Sequence, residues 1–175
     1  MGSGKDFGCT FSYKVQDEAG GIAQALGLAE SFVHDSKLVV ILGDNIFTDN
    51  LTPFVADFEK QPSGAKILLK TVADPNRFGV AELNGNKIAG IEEKPTNPKS
   101  NLAVTGIYFY DASVFKVVKT LKPSRRGELE ITDVNNYYVQ QGTMSYNVLS
   151  GDWTDAGTFD SFYHANRLMF QDVEA

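Results

Sequence analysis

Two short acidic segments carry the most chemistry in this sequence. Leu42-Gly43-Asp44-Asn45 closes an apolar run at 37–42, and Trp153-Thr154-Asp155-Ala156-Gly157-Thr158 follows another at 143–149. In open α/β sheets, ligands sit beyond the carboxyl ends of strands, so a carboxylate there can hold a cation without entering the apolar core. Hard divalent cations prefer carboxylate oxygen, and Mg²⁺ often takes only one or two protein carboxylates, with substrate phosphates and water completing its shell. Asp44 and Asp155 are therefore candidate ligands for one ion. Each also has a plainer reading, as an acid that caps a turn. A third segment, Ile91-Glu92-Glu93-Lys94-Pro95, places acids beside a lysine. A compact ammonium suits a phosphate monoester, and a glutamate can accept hydrogen bonds from sugar hydroxyls. The plainer reading is a set of solvated charges at a strand end.

Other features carry less. Gly2-Ser3-Gly4-Lys5-Asp6-Phe7-Gly8 is glycine-rich, but it has neither the P-loop nor the dinucleotide spacing, and no strand precedes it to aim its amides. His34 and His164 stand far apart, without a paired nucleophile or ligand. Tyr108, Phe109 and Tyr110 read mainly as strand core, with one ring available to a sugar pocket. The formal net charge of −6 excludes nucleic acid as a leading partner, because such binding needs a basic surface. It leaves nucleotides open, since a divalent cation can bridge two sets of negative charge. No apolar run approaches the roughly 20 residues that cross a bilayer, so no membrane partner is expected. The lone cysteine, Cys9, makes a reducing cytoplasm the simplest compartment.

These segments need elements to position them. Residues 10–15 read as a short strand. Ile22, Ala25, Leu26, Ala29, Phe32 and Val33 repeat at helical spacing from Gly21 onward. Residues 37–42 suit a strand covered on both faces. Thr52-Pro53 starts a helix, with Thr52 as cap and Phe54, Val55 and Phe58 inward. Residues 65–72 form a strand, and the runs at 79–83 and 87–92 flank Asn84-Gly85-Asn86 as an antiparallel hairpin. A loop holds Pro95 and Pro98. A strand at 103–110 leads to a helix capped by Asp111, with Val114, Phe115, Val118 and Leu121 inward. A helix at 131–141 ends at Gly142, and a strand at 143–149 and a helix at 159–171 finish the chain. Alternating strands and helices give one α/β domain over residues 1–175, with a mixed sheet.

In order, the segments are far more specific than any one alone. Tyr13-Lys14-Val15-Gln16, Gly20-Gly21-Ile22-Ala23-Gln24-Ala25 and Leu42-Gly43-Asp44-Asn45 are followed by Arg77-Phe78-Gly79-Val80, Glu92-Glu93-Lys94-Pro95 and Val104-Thr105-Gly106-Ile107-Tyr108. Arg126-Gly127-Glu128-Leu129-Glu130-Ile131-Thr132-Asp133 and Trp153-Thr154-Asp155-Ala156-Gly157-Thr158 complete the series. The series resembles the sugar nucleotidyltransferase family over nearly the whole chain, nearest its glucose-1-phosphate thymidylyltransferase branch. The resemblance implies a mixed, mainly parallel Rossmann-like sheet flanked by helices. It implies transfer of a thymidylyl group from dTTP to glucose 1-phosphate, giving dTDP-glucose and pyrophosphate. Mg²⁺ would be held by Asp44 and Asp155, with Lys94 on the sugar phosphate and Glu93 on sugar hydroxyls. Gln16 and Gly21 would contact the thymine. Asn45, Gly79, Thr105, Tyr108 and Trp153 would complete the substrate pocket.

Members of that family open with a strand and a Gly-Gly-x-Gly-Thr-Arg-Leu loop followed by a lysine, to which nothing from Met1 onward corresponds. The sequence is thus expected to be N-terminally incomplete, with normal turnover not expected of this chain alone. The alternative expectation is a non-catalytic module that binds sugar phosphate or nucleotide, or that serves as an interaction protein. Missing central strands would also bare a strand edge and apolar helix faces, so a homo-oligomer is expected.

Overall fold

The computed structural model describes residues 2–171, so Met1 and residues 172–175 of the expected domain lie outside the described residues. After a 3₁₀ turn at Lys5–Phe7, the chain forms α1 (Ile22–Gly27), α2 (Glu30–Val33), β1 (Leu38–Ile41), β2 (Asn45–Phe47), α3 (Thr52–Lys60) and β3 (Ala65–Thr71). A second 3₁₀ turn at Pro75–Arg77 leads into β4 (Gly79–Asn84), β5 (Lys87–Glu93) and β6 (Leu102–Tyr110). The remaining elements are α4 (Val114–Val118), α5 (Ile131–Gln140), β7 (Met144–Val148), β8 (Trp153–Asp155) and α6 (Phe159–Gln171).

The main sheet has six strands in the order β5-β4-β6-β3-β7, with β1 also paired to β6. It is mixed, as expected, and β1, β3, β4 and β7 point one way. The mainly parallel ladder is nevertheless not the pairing observed. β6 runs antiparallel to β1, β3 and β4, and it lies between β3 and the other two. Only β3 and β7 form a parallel pair among the described residues. On one edge of β6, the β1 pairing ends at Ile41 opposite Ile107, and β4 joins at Val80 opposite Ala103. The Leu42 N–H still bonds to the Gly106 carbonyl at 2.9 Å, so residues 104 and 105 face a gap where the two strand ends diverge. That gap is where the functional groups gather.

Alternation along β3 and β6 feeds two cores. Ile67, Leu69, Tyr108 and Tyr110 pack under α1, α4 and α5, whereas Leu68, Ile107 and Phe109 pack with Phe58 of α3 and with Leu149 and Trp153. Burying each large side chain contributes about 1.5–3 kcal/mol, so both faces of the sheet hold it together. Lys66 is a charge inside this framework, at 1% exposure, and its ammonium pairs with Asp57.

Several sequence expectations need correction. Residues 10–15 form no strand: they lack a neighbouring strand to bond with, and Tyr13 and Val15 are exposed. The helical stripe from Ile22 breaks between α1 and α2, which buries Ala23 and Leu26 but leaves Ala25 and Phe32 exposed. β1 is covered on one face only, with Val39 and Ile41 at 38% and 48% exposure. Thr52 does not cap α3; the Asn50 carboxamide oxygen accepts from the Thr52 N–H at 2.9 Å instead. The expected hairpin is present, and Gly85 takes the left-handed φ of 59° that its two-residue turn requires. α6 buries Ser161, Ala165 and Leu168 along one stripe, while Phe159, Phe162, Tyr163, Met169 and Phe170 are exposed.

Candidate active site

A cavity of about 380 Å³ opens where β1 and β4 diverge from β6. The end that holds Asp44 and Asp155 is organised by Asn45. The Asn45 side-chain oxygen accepts from the Gly106 N–H and from the Trp153 indole N–H, each at 2.7 Å, and its amide donates to Asp44 Oδ1 at 2.8 Å. This requires glycine at 106, because a Cβ there would stand 2.7 Å from Asn45 Cγ. The two-stranded ladder of β2 and β8 then sets Asn45 opposite Asp155, and the Ala156 N–H donates to the Asp44 carbonyl at 2.7 Å. A Cβ on Gly157 would lie 3.3 Å from Asp155 Oδ2 and 4.0 Å from Asp44 Oδ2, so both carboxylates converge on one glycine.

Burial pushes the Asp155 carboxyl above its usual range; Arg77 opposes this shift, and the neighbouring charges of Asp44 and Asp74 add to it. A half-buried carboxyl with a second acid beside it makes a place where a cation is welcome. Among the described residues, no group of three or more His, Cys, Asp or Glu could form an all-protein metal cage. A pair of carboxylates open to further oxygen ligands suits Mg²⁺ completed by phosphate and water.

At the other end, Gly79 of β4 sits opposite Glu93 of β5, and the Thr132 hydroxyl donates to Glu93 Oε2 at 2.6 Å. A Cβ on Gly79 would meet that pair at 3.4 and 3.5 Å, so the glycine leaves it open to a ligand. Lys94 takes a left-handed φ of 44°, and its N–H bonds to the Phe78 carbonyl at 3.0 Å, turning the chain at the cavity rim. Burial, with Glu93 and Asp44 nearby, raises the Tyr108 phenol well above its ordinary value. It remains a protonated donor in the cavity wall.

Asp44, Asn45, Gly79, Glu93, Lys94, Tyr108, Trp153 and Asp155 thus line one cavity. Thr105 does not. Alternation along β6 turns Val104, Gly106 and Tyr108 toward the cavity and Thr105 the opposite way, where its hydroxyl donates to the Leu68 carbonyl at 2.9 Å. Gln16 and Gly21 are brought together, with the Gln16 amide 3.2 Å from the Gly21 carbonyl, but both stand outside the cavity wall. Ile22 is the residue of that segment that lines it.

The sequence reading gave no role to Arg77, Arg126, Glu130, Thr132 or Asn135, all in the cavity wall. Arg77 Nη2 lies 3.2 Å from both Asp155 oxygens, and its Nη1 bonds to Asp74 at 3.1 Å. Arg126 binds Glu130 through Nη2 at 2.8 Å and Nε at 3.1 Å, which holds the Glu130 carboxyl below its usual range. Asn135 accepts from the Tyr110 hydroxyl at 2.6 Å, while its own buried amide nitrogen has no partner. The sequence signal for Arg77, Arg126, Glu130 and Thr132 was membership of the Arg77-Phe78-Gly79 and Arg126-to-Asp133 motifs, whereas Asn135 lies outside both. Arg77, Lys94 and Arg126 bring positive charge into a wall that also holds Asp44, Glu93, Glu128, Glu130 and Asp155, and both arginines are held there in ion pairs.

The chain belongs to the nucleotidyl transferase family, whose model matches residues 1–172. It is 43% identical over 169 residues to a glucose-1-phosphate thymidylyltransferase of Neisseria meningitidis, covering 94% of this chain and 59% of that one. The chain therefore spans about three-fifths of the length of that curated relative. A Bacillus anthracis crystal structure, assigned as a glucose-1-phosphate thymidylyltransferase and holding sucrose, is 60% identical. It superposes with a TM-score of 0.91 over 95% of this chain and 68% of its own. A UDP-glucose pyrophosphorylase complexed with UDP-glucose shares the fold, with a TM-score of 0.84 at 23% identity, over 94% of this chain and 67% of its own.

Proposed function

We propose that this cavity is the metal and sugar-phosphate part of a thymidylyl transfer centre, acting on dTTP and glucose 1-phosphate. The carrying observation is that the Asp44–Asp155 pair and the Glu93–Lys94 pair line the same 380 Å³ space, with Arg77 and Arg126 in the same wall. Glu93, oriented by Thr132, accepts from sugar hydroxyls, and Lys94 and Arg126 hold the sugar phosphate. Asp44 and Asp155 hold Mg²⁺, which when bound supplies charge stabilisation to the nucleotide phosphates. A sugar-phosphate oxygen then forms a bond to the α-phosphorus while the bond to the β-phosphate oxygen breaks, and pyrophosphate leaves with that electron pair. The protein's contribution is mostly positioning and screening of two anions. The choice of dTTP and glucose follows the names of the relatives. The same reading makes the protein a cytoplasmic supplier of dTDP-sugar. It also makes it a homo-oligomer, whose contacts cover the bare edge of β1 and the exposed rings of α6.

The test is pyrophosphate release from the purified chain with dTTP, glucose 1-phosphate and Mg²⁺. Metal-dependent release that falls about 10²-fold or more in Asp44→Ala supports the proposal. Release indifferent to Asp44→Ala contradicts it. A folded chain that binds glucose 1-phosphate without release supports the non-catalytic binding reading instead.

A further inference from the structure

Arg77 is the strongest cavity feature that the proposed chemistry leaves without a role. One nitrogen of its guanidinium is 3.2 Å from both carboxylate oxygens of Asp155, so the face of that acid which a metal would use already has a cation on it. The other end is tied to Asp74, three residues earlier, at 3.1 Å, and the group lies over the Phe78 ring at 5.1 Å. Arg77, Phe78, Trp153 and Asp155 also form the wall between the main cavity and a second one of about 620 Å³, lined by Asp74, Thr158 and His164. The guanidinium therefore has an anchor and open space on either side. Asp155 is the more enclosed partner, at 22% side-chain exposure against 38% for Arg77, so the arginine is the one free to move.

We propose that Arg77 is a resident counter-ion that occupies the cation's place at Asp155 in the ligand-free protein and yields it when phosphates arrive. The inference rests on the metal assignment made above. A divalent cation entering alone must displace or sit against a fixed positive charge a few ångströms away. Even with the screening of bulk water, this repulsion at about 6 Å weakens binding by about tenfold. An incoming polyphosphate offers Arg77 a bidentate partner in exchange for Asp155. Cation and nucleotide then bind as a coupled pair, each raising the affinity of the other by the same factor. The acid stays neutralised between turnovers, and a free metal ion gains little by entering an empty site.

The probe is Mn²⁺ alone, titrated into the intact chain and followed by electron paramagnetic resonance, for wild type, Arg77→Gln, Arg77→Lys and Asp155→Asn. Arg77→Gln should tighten Mn²⁺ by about five- to tenfold. Arg77→Lys, which keeps the charge, should stay near wild type, and Asp155→Asn should lose the site. In wild type, adding Mg²⁺ should also shift the Arg77 side-chain N–H resonance, and the Asp155→Asn chain should show no such shift. Mn²⁺ affinity in Arg77→Gln equal to or below wild type overturns the proposal while leaving the metal site standing. Binding of Mn²⁺ by none of the folded chains removes the metal assignment and this inference with it.

Discussion

Replacing Gly106 by alanine tests whether Asn45 organises the site. The added Cβ would stand 2.7 Å from Asn45 Cγ and 2.8 Å from its Oδ1, closer than real Cβ contacts come. Asn45 cannot yield cheaply, because it is 9% exposed and its oxygen holds the Gly106 and Trp153 N–H groups at 2.7 Å. Displacing it strands both donors, at about 1–3 kcal/mol each if unsatisfied, so we expect destabilisation of about 2–4 kcal/mol. For a chain of this size that corresponds to a fall in Tm of roughly 5–15 °C. The amide that orients Asp44 moves as well, so Mn²⁺ affinity should drop in the still-folded protein. Urea unfolding at 25 °C and a Mn²⁺ titration at 15 °C provide the assay. Gly90→Ala is the control, because a Cβ there meets nothing within 4 Å. A Gly106→Ala protein within about 0.5 kcal/mol of wild type, the range of an ordinary surface change, would refute the reasoning.

Two further substitutions test other parts of the account. Lys66, its side chain 2% exposed, depends on Asp57, and the hydrogen bond from Lys66 holds the Asp57 carboxyl below its ordinary 3.8. Stability from this pair is complete above that ordinary value and is lost as pH falls through the lower folded one. Asp57→Asn should therefore cost about 1–2 kcal/mol at pH 7 in urea unfolding, discounted because Asp57 is 66% exposed, with the deficit shrinking below pH 4. A deficit that grows on acidification would contradict this. Thr105→Val should cost about 1 kcal/mol through the lost bond to Leu68, yet leave glucose 1-phosphate affinity within about twofold of wild type. A tenfold loss of that affinity in calorimetry would return Thr105 to the site.

Much of this was legible in the sequence where a pattern repeats. The hairpin around Asn84-Gly85-Asn86, the buried run of β6 and the helix ending at Gly142 each combine periodicity with a turn residue, and each is where expected. Residues 10–15 have strand-like composition, but a strand exists only with a partner, and composition does not supply one. Sheet order was equally hidden: nothing local in β6 says that β1 and β4 share one of its edges. Within the site, the ordered motifs led to both aspartates and to Glu93 and Lys94. They could not reveal how the aspartates meet, because β2 and β8 have three residues each and are too short to show alternation. Thr105 came to the pocket through the family resemblance alone, and alternation along β6 turns it to the other face of the sheet. Arg77 and Arg126 entered the sequence reading only as members of motifs, with no role of their own. Only the fold sets their guanidinium groups against Asp155 and Glu130.

The central claim is that one cavity joins a metal-binding carboxylate pair to a sugar-phosphate clamp. Amide chemical-shift mapping of glucose 1-phosphate binding in the presence of Mg²⁺ tests it most directly. The account predicts saturable shifts at Gly79, Lys94, Thr132 and, with the metal, at Asn45, Gly106 and Asp155. It also predicts an affinity at least about tenfold weaker in Lys94→Ala, the size expected for losing a charged hydrogen-bonding partner of the phosphate. Shifts centred elsewhere, or an affinity indifferent to Lys94→Ala, would contradict it.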